Sequence, residues 1–299
     1  MTDILVSINY ATIRRGWMEN LLRMLNQQTM PHELFELVIV DDYGRRWSEV
    51  GQLASKYNLN VKYMKSKPWH WKSNRQLGNA RNTAFVHCDG ELVVFLDDYS
   101  WVEPAFLSTH WDLYKSRDRA IIGVVQAVET NYGKVFSKAN LTPVKDSVDE
   151  RLKSIYPMRE RDRCNPGFFW TFNASAPLES IIKVNGYDER YDCAGEDDVD
   201  LGTRLSRVGV KFLYTGDPKI KVYHMKHNGG LSRPSPFKPE ECHKWTKDML
   251  NVRYDGSWGL LEDNSRKKPW EVNQGYFDLA EARKNRRKYP AKSWKVWMK

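Results

Sequence analysis

The sequence predicts an α/β fold, a mostly parallel sheet with helices on both faces, and three observations predict it. Short β-rich runs alternate with helical patterns from residue 4 to residue 128, and strands separated by helices join as parallel neighbours through crossovers. The run Leu92–Leu96 is wholly apolar, as a strand covered on both faces must be. Two runs end in acidic pairs, Asp41-Asp42 and Asp97-Asp98. In such sheets ligands bind beyond the carboxyl ends of the strands.

Taken in order, residues 4–8 read as the first strand, and Trp17, Leu21, Leu22 and Leu25 mark one face of a helix over residues 14–28. Residues 35–40 form a second strand, 47–57 a helix, and Val61–Met64 a third strand. Ser73 is placed to cap a helix in which Leu77, Ala80, Ala84 and Phe85 share a side. After Leu92–Leu96, Pro104 opens another helix, and residues 121–128 read as one further buried strand. Residues 130–165 are more polar, a connector or flap with a short helix near 144–155. Residues 168–172 are strand-like, and Pro177 suits the first turn of a helix ended by Asn185-Gly186. A helix from Glu196 follows, then strands over 211–214 and 220–223, with His224 at the end of the second. Pro234, Pro236 and Pro239 lead into a helical, basic C-terminal extension.

Composition narrows the classes. At 299 residues, 41% hydrophobic and 28% charged, the chain is globular, neither disordered nor fibrous. No apolar run approaches the ~20 residues of a membrane span. The first strand-like run begins at residue 4, which leaves no room for a signal peptide. Cys88, Cys164, Cys193 and Cys242 lack paired spacing, so reduced thiols in a cytoplasm are the simplest account. The net charge of +9 is uneven: from Arg266 to Lys299, 11 Lys and Arg face three acids, a balance of +8. The basic character therefore belongs to a tail with interleaved Trp and Tyr. That tail could meet an anionic membrane surface or nucleic acid, or lie with its aromatics packed on the body.

The chemistry converges on carboxylates. Glu196, Asp197, Asp198 and Asp200 fall within five residues at a helix start. Acids suit that position electrostatically, but four exceed what capping needs. Crowding raises the proton affinity of at least one, which makes Asp197 a candidate general base. Asp41 and Asp42 could accept hydrogen bonds from a nucleotide base or ribose. Asp97 and Asp98 beside a diphosphate make sense if Mn²⁺ or Mg²⁺ bridges them. Imidazole also suits Mn²⁺, so His224 could complete that site. Arg81 could reach a phosphate or hold the acidic strand end.

In this order and spacing the set resembles the family 2 glycosyltransferases of GT-A, Rossmann-like fold, over residues 4–227: a first strand leading to a nucleotide pocket, Asp41-Asp42, Ala80-Arg81-Asn82, Asp97-Asp98 and Glu196-Asp197. The stretch Asn185-Gly186-Tyr187-Asp188-Glu189 with Glu196-Asp197-Asp198 also resembles the C-terminal motif of galactosyltransferase-type enzymes. The resemblance implies a catalytic domain over 1–230, with a nucleotide-sugar half to residue 128 and an acceptor half beyond, and an extension over 231–299. It implies Asn9, Asp41, Asp42, Arg81 and Asp97 at the donor, and Asp98 and His224 at the metal. Asp197 would be the base, with Glu196, Asp198 and Trp170 at the acceptor. One position departs from the family: Tyr99 stands where the last acid of the usual Asp-x-Asp motif would be, which leaves the metal contact to Asp98. The expected reaction is inverting transfer from a nucleotide-diphosphate donor, a UDP-sugar, to a glycan or lipid-linked acceptor. The rival readings are a transferase acting on modified bases in nucleic acid and an inactive nucleotide-sugar-binding protein.

Overall fold

The computed structural model describes residues 3–14, 17–68, 77–117, 119–129, 138–145, 149, 160–161, 164–189, 191, 197–225, 272–273 and 275–295. Ser73, Glu196, His227 and most of the helix expected near 144–155 lie outside the described residues.

The first strand, β1 (Val6–Thr12), is followed by helix α1 (Met18–Asn26), β2 (Phe35–Asp41), α2 (Trp47–Lys56), β3 (Val61–Met64), α3 (Leu77–His87) and β4 (Leu92–Leu96). Strand β1 pairs in parallel with both β2 and β4, and β2 with β3. The two-residue period of these strands divides the core. Ile8, Leu37, Ile39 and Val94 pack on one face with α1 and α2, while Val38, Val40, Val93 and Phe95 pack on the other with α3. Both faces are covered, which is why every residue of β2 and β4 is buried.

Beyond β4 come β5 (Ser100–Val102), α4 (Phe106–Arg117), β6 (Ala120–Gly123), β7 (Val125–Glu129), the short β8 (Thr142–Pro143) and β9 (Glu160–Arg161), and β10 (Asn173–Pro177). Helices α5 (Leu178–Lys183) and α6 (Asp197–Arg207), strands β11 (Phe212–Thr215) and β12 (Val222–Met225), helix α7 (Leu279–Lys284) and strand β13 (Lys292–Trp294) follow. The main sheet runs β13-β3-β2-β1-β4-β10-β6-β11-β9, and a second sheet runs β5-β12-β7-β8. Strand β10 is antiparallel to both its neighbours, β4 and β6, so the sheet is mixed rather than uniformly parallel. No helix among the described residues is long and apolar enough to cross a membrane.

Four expectations need correction. The run expected over 121–128 is two strands in different sheets, broken at Val124. Asn173 donates to Val124 O (2.8 Å) and Ile220 O (2.9 Å), and a Cβ on Gly123 would stand 2.5 Å from Asn173 Nδ2. The sheets therefore part where glycine permits close approach. Second, residues 166–168 form a 3₁₀ turn and the strand begins only at Asn173. The Asn165 side chain accepts from Gly167 N and Pro166 occupies the first turn position, local turn chemistry that overrides the aromatic run. Third, the strand expected over 220–223 runs Val222–Met225, because Pro218–Ile220 form a 3₁₀ turn, and His224 is its next-to-last residue.

Fourth, the described part of the C-terminal extension is not wholly helical: a six-residue helix and a 3₁₀ turn lead into an edge strand docked on the body. Strand β13 pairs antiparallel with β3, and the Trp294 ring lies where Gly51 leaves space on α2. Arg283 donates to Phe85 O and to Cys88 O (2.7 Å), cation to carbonyl at the C-terminus of α3. Helix α3 is thus covered on both sides, and residues Gly78 through His87 are all buried instead of showing one apolar face.

Candidate functional site

One guanidinium joins the two halves of the site. Arg81, on buried α3, is 4% exposed. Its Nη2 lies 2.8 Å from Asp97 at the end of β4, and its Nη1 lies 3.0 Å from Asp198 in the first turn of α6. Tyr187 Oη (2.9 Å) and Thr171 Oγ1 also accept from Nη1. Burial lowers the proton affinity of Arg81, but Tyr187, Asp198, Asp97 and Asp197 raise it well above the ordinary value. The acidic strand end and the acidic helix start, 100 residues apart in sequence, therefore face one cation.

Asp198 is held from three sides: it accepts from Thr171 N (3.1 Å), Thr171 Oγ1 (2.5 Å) and Tyr187 Oη (3.0 Å). Asp197 is buried, and burial followed by the neighbouring charge of Asp198 pushes its carboxyl up to about 7. A carboxylate with that affinity, fixed in the first turn of a helix, matches what a general base at neutral pH requires. The fourth acid serves the fold. Asp200 is fully buried against Arg204 Nε (2.8 Å), whose Nη1 donates to Val184 O and Gly186 O (both 2.7 Å). Trp170, half-buried and tilted against Phe172, precedes the threonine that holds Asp198.

Asp98 follows Asp97 and turns to the other face of the sheet, where Tyr10 Oη donates to Oδ1 and Thr12 Oγ1 to Oδ2 (2.5 Å). Burial outweighs these donors, with Asp97 adding to it, and pushes Asp98 up to about 6. Tyr99 adopts φ 60°, an uncommon conformation for a non-glycine residue, with its ring edge-on to Trp17. The strained turn leads into β5, whose Ser100 is the register partner of His224 on β12. The imidazole of His224 is held neutral mainly by burial, with Asp97 opposing and Arg14 reinforcing.

The chemistry of these two residues would suit a divalent cation. Asp98 is a buried carboxylate for which a cation would relieve the cost of ionisation, and His224 is a neutral nitrogen donor one strand away. Among the described residues no three His, Cys, Asp or Glu side chains gather as a metal cage. Mg²⁺ and Mn²⁺ need none when substrate phosphates supply the remaining ligands.

The other donor-side candidates are placed differently. Asp41 is fully buried, and its oxygens accept from Arg46 Nε (2.8 Å), Tyr63 Oη (2.9 Å) and Tyr43 N (3.0 Å). Asp42, half-buried, accepts from Ser66 N (3.0 Å) and Ser66 Oγ. Asn9 is 1% exposed and donates to Arg81 O (3.0 Å), so in this structure it holds α3 against β1. Sequence reading missed Tyr10, Thr12, Thr171 and Tyr187 as partners of the acids. The first two were within reach of it, because alternation puts Tyr10 and Thr12 on the face opposite Asn9. Nothing local marks Thr171, and the motif that contains Tyr187 gives its phenol no partner.

The family model described as Glycosyl transferase family 2 matches residues 12–175, more than half of the chain and short of Asp197 and the motif around it. The fold is shared with solved structures. S. aureus TarS 1–349 in complex with UDP has a TM-score of 0.55 at 14% identity, covering 84% of this chain and 72% of that one. S. aureus TarS 1–349 in complex with UDP-GlcNAc gives 0.53 at 14%, with coverages of 85% and 74%. GalNAc-T7 with UDP, GalNAc and Mn²⁺ gives 0.58 at 14%, covering 96% of this chain but only 55% of that longer one. At these identities the likeness shows the GT-A fold.

Proposed function

The chain belongs to glycosyl transferase family 2 and is a glycosyltransferase, and on that premise we propose that it moves a sugar from a UDP-sugar donor to a hydroxyl of a glycan or lipid-linked acceptor, with inversion. The observation that carries this reading is the Arg81 bridge, which gathers Asp97, Asp197 and Asp198 around one point. Asp197 takes the proton of the acceptor hydroxyl as its oxygen attacks the anomeric carbon. The bond from that carbon to the diphosphate oxygen breaks on the opposite face, and the nucleoside diphosphate leaves with the electron pair. Base assistance of this kind is worth ~10²–10⁴-fold in rate.

Arg81 orients Asp198 and presents positive charge beside Asp97, near where the diphosphate would lie. Asp42 and Asp97 are half-buried donor-side acids, unlike the buried Asp41, and Trp170 and Glu196 are assigned to the acceptor. Asp98 and His224 would hold Mn²⁺ or Mg²⁺, which when bound neutralises charge growing on the leaving diphosphate. Exposed Arg287, Lys288, Lys292 and Lys295 on the docked C-terminal segment support an anionic setting for the acceptor, such as a lipid surface.

The deciding experiment combines a panel of nucleotide sugars with Mn²⁺ and the Asp197→Asn variant. Wild-type protein is expected to gain thermal stability with UDP-sugars and to release UDP only with transfer. The variant should bind donor equally and lose transfer by at least ~10²-fold; undiminished turnover would remove Asp197 from the mechanism. Salt-sensitive binding to DNA, without binding to anionic vesicles, would redirect the acceptor reading to nucleic acid.

A further inference from the structure

We infer that Asn273, outside the family-matched residues and 76 positions beyond Asp197, is a positioning residue for the base and its clamp; this rests on the transfer reading above. The phenol of Tyr187 contacts Asp198, Thr171 and Arg81 together, so the backbone of Tyr187 fixes how that clamp stands. The backbone is gripped from two directions. From α3, Asn82 accepts from Tyr187 N (2.8 Å) and donates to Tyr187 O (2.9 Å). From the C-terminal segment, Asn273 Nδ2 donates to the same Tyr187 O (2.7 Å), and Asn273 Oδ1 accepts from Glu189 N (3.0 Å).

The grip is reciprocal. Asn185 donates to Val272 O (2.8 Å) and Phe277 O (3.1 Å), and its Oδ1 accepts from Leu279 N (2.7 Å). Both asparagines have positive φ, 61° at Asn185 and 58° at Asn273, a conformation asparagine tolerates better than most residues. Gly186 between them has φ 68°, and a Cβ there would stand 2.3 Å from Asn82 Oδ1, so glycine is required. Below this pair, Lys67 bridges Glu189 (2.6 Å) and Asn79 (2.6 Å) under the ring of Phe277. The loop that orients the acids therefore has one wall made by the C-terminal segment. Displacing a catalytic group by a fraction of an ångström costs rate more than binding.

The test is Asn273→Gly, which keeps the left-handed backbone accessible while deleting both side-chain bonds. Its kcat should fall roughly tenfold, with the donor KM within about twofold and Tm lowered by no more than ~4 °C. Asn273→Asp, which retains an acceptor for Glu189 N but turns a carboxylate toward Tyr187 O, should lose more kcat than Asn273→Gly. Amide exchange measured on both proteins should quicken over residues 197–204 and stay unchanged over 92–96. Wild-type kcat in Asn273→Gly, or a loss confined to KM and Tm, would overturn the inference while leaving the transfer reading intact. Absence of transfer in the wild type would overturn the transfer reading instead. The exchange arm would still decide the coupling, with unchanged exchange over 197–204 counting against it.

Discussion

The ends of β2 and β4 carry the same dipeptide, Asp41-Asp42 and Asp97-Asp98, at the same edge of one sheet, yet the fold has made opposite uses of them. At β2 the first acid is the buried one, and it faces the guanidinium of Arg46. At β4 the second acid is the buried one, and what faces it are the hydroxyls of Tyr10 and Thr12. A buried carboxylate beside a cation is a structural tie. One whose hydrogen bonds come from hydroxyls, with the charge of Arg14 only a minor opposing influence, is costly to ionise, and burial pushes Asp98 up to about 6. Two identical sequence signals thus mark a strut at one strand and a carboxyl that is costly to ionise at the other.

The sharpest way to break this contrast is to neutralise each buried acid. Asp98→Asn should cost at least ~10²-fold in transfer while leaving Tm in EDTA unchanged or higher. Asp41→Asn should do the reverse, removing about 3 kcal/mol of stability by stranding Arg46 while the folded fraction keeps its turnover. If both variants lose mainly activity, the strut reading of Asp41 fails.

The second test concerns pH. Asp197 must be deprotonated to act as base, and its pKa is raised to about 7. Below that value kcat/KM should fall about tenfold per pH unit, and a profile already flat from pH 5 upward would remove this base. The sign for stability is opposite. A carboxyl whose folded pKa lies above its unfolded value contributes fully below pH ~4 and loses that contribution as pH rises through about 7.

A third test asks whether the β4 end recruits a metal. EDTA should reduce transfer at least ~10-fold, Mn²⁺ should restore it, and His224→Ala should raise the Mn²⁺ concentration needed. Full activity in EDTA would leave Asp98 without the cation assigned to it.

The smallest effect sets the acid background. His110 and His87 are buried and kept neutral chiefly by desolvation, with pKa values lowered to about 3 and about 4. Their contribution is complete above pH ~6.5 and is lost as pH falls toward those values. Tm should decline below pH 6.5, and His110→Gln should flatten the decline, which a melting series in pH resolves.

Much of the parallel core was legible because it depends on periodicity. Alternating and continuous apolar runs located β2, β3 and β4, and helical spacing located α1 and α2. The errors fall where one residue's surroundings override its neighbourhood. Gly123 admits Asn173 and splits a strand, Asn165 and Pro166 turn an aromatic run away from β structure, and Trp294 against Gly51 brings a basic tail back onto the sheet. In the site, acids and arginine were legible because charge is rare in apolar strands and helix starts. Their partners were not, because Thr171 and Tyr187 are ordinary residues whose role exists only through distance.

By itself the sequence determined the α/β alternation, the acidic strand ends and the acid-rich helix start, because hydrophobic period and charge are properties of neighbouring residues. Only the tertiary structure decided which acid of each pair is buried, which one meets a cation, and that Arg81 joins Asp97 to Asp198. Arg81 reaches Asp97 and Asp198, 16 and 117 positions away along the chain, and Tyr10 reaches Asp98 from 88 positions away; local sequence carries no record of which residues will arrive.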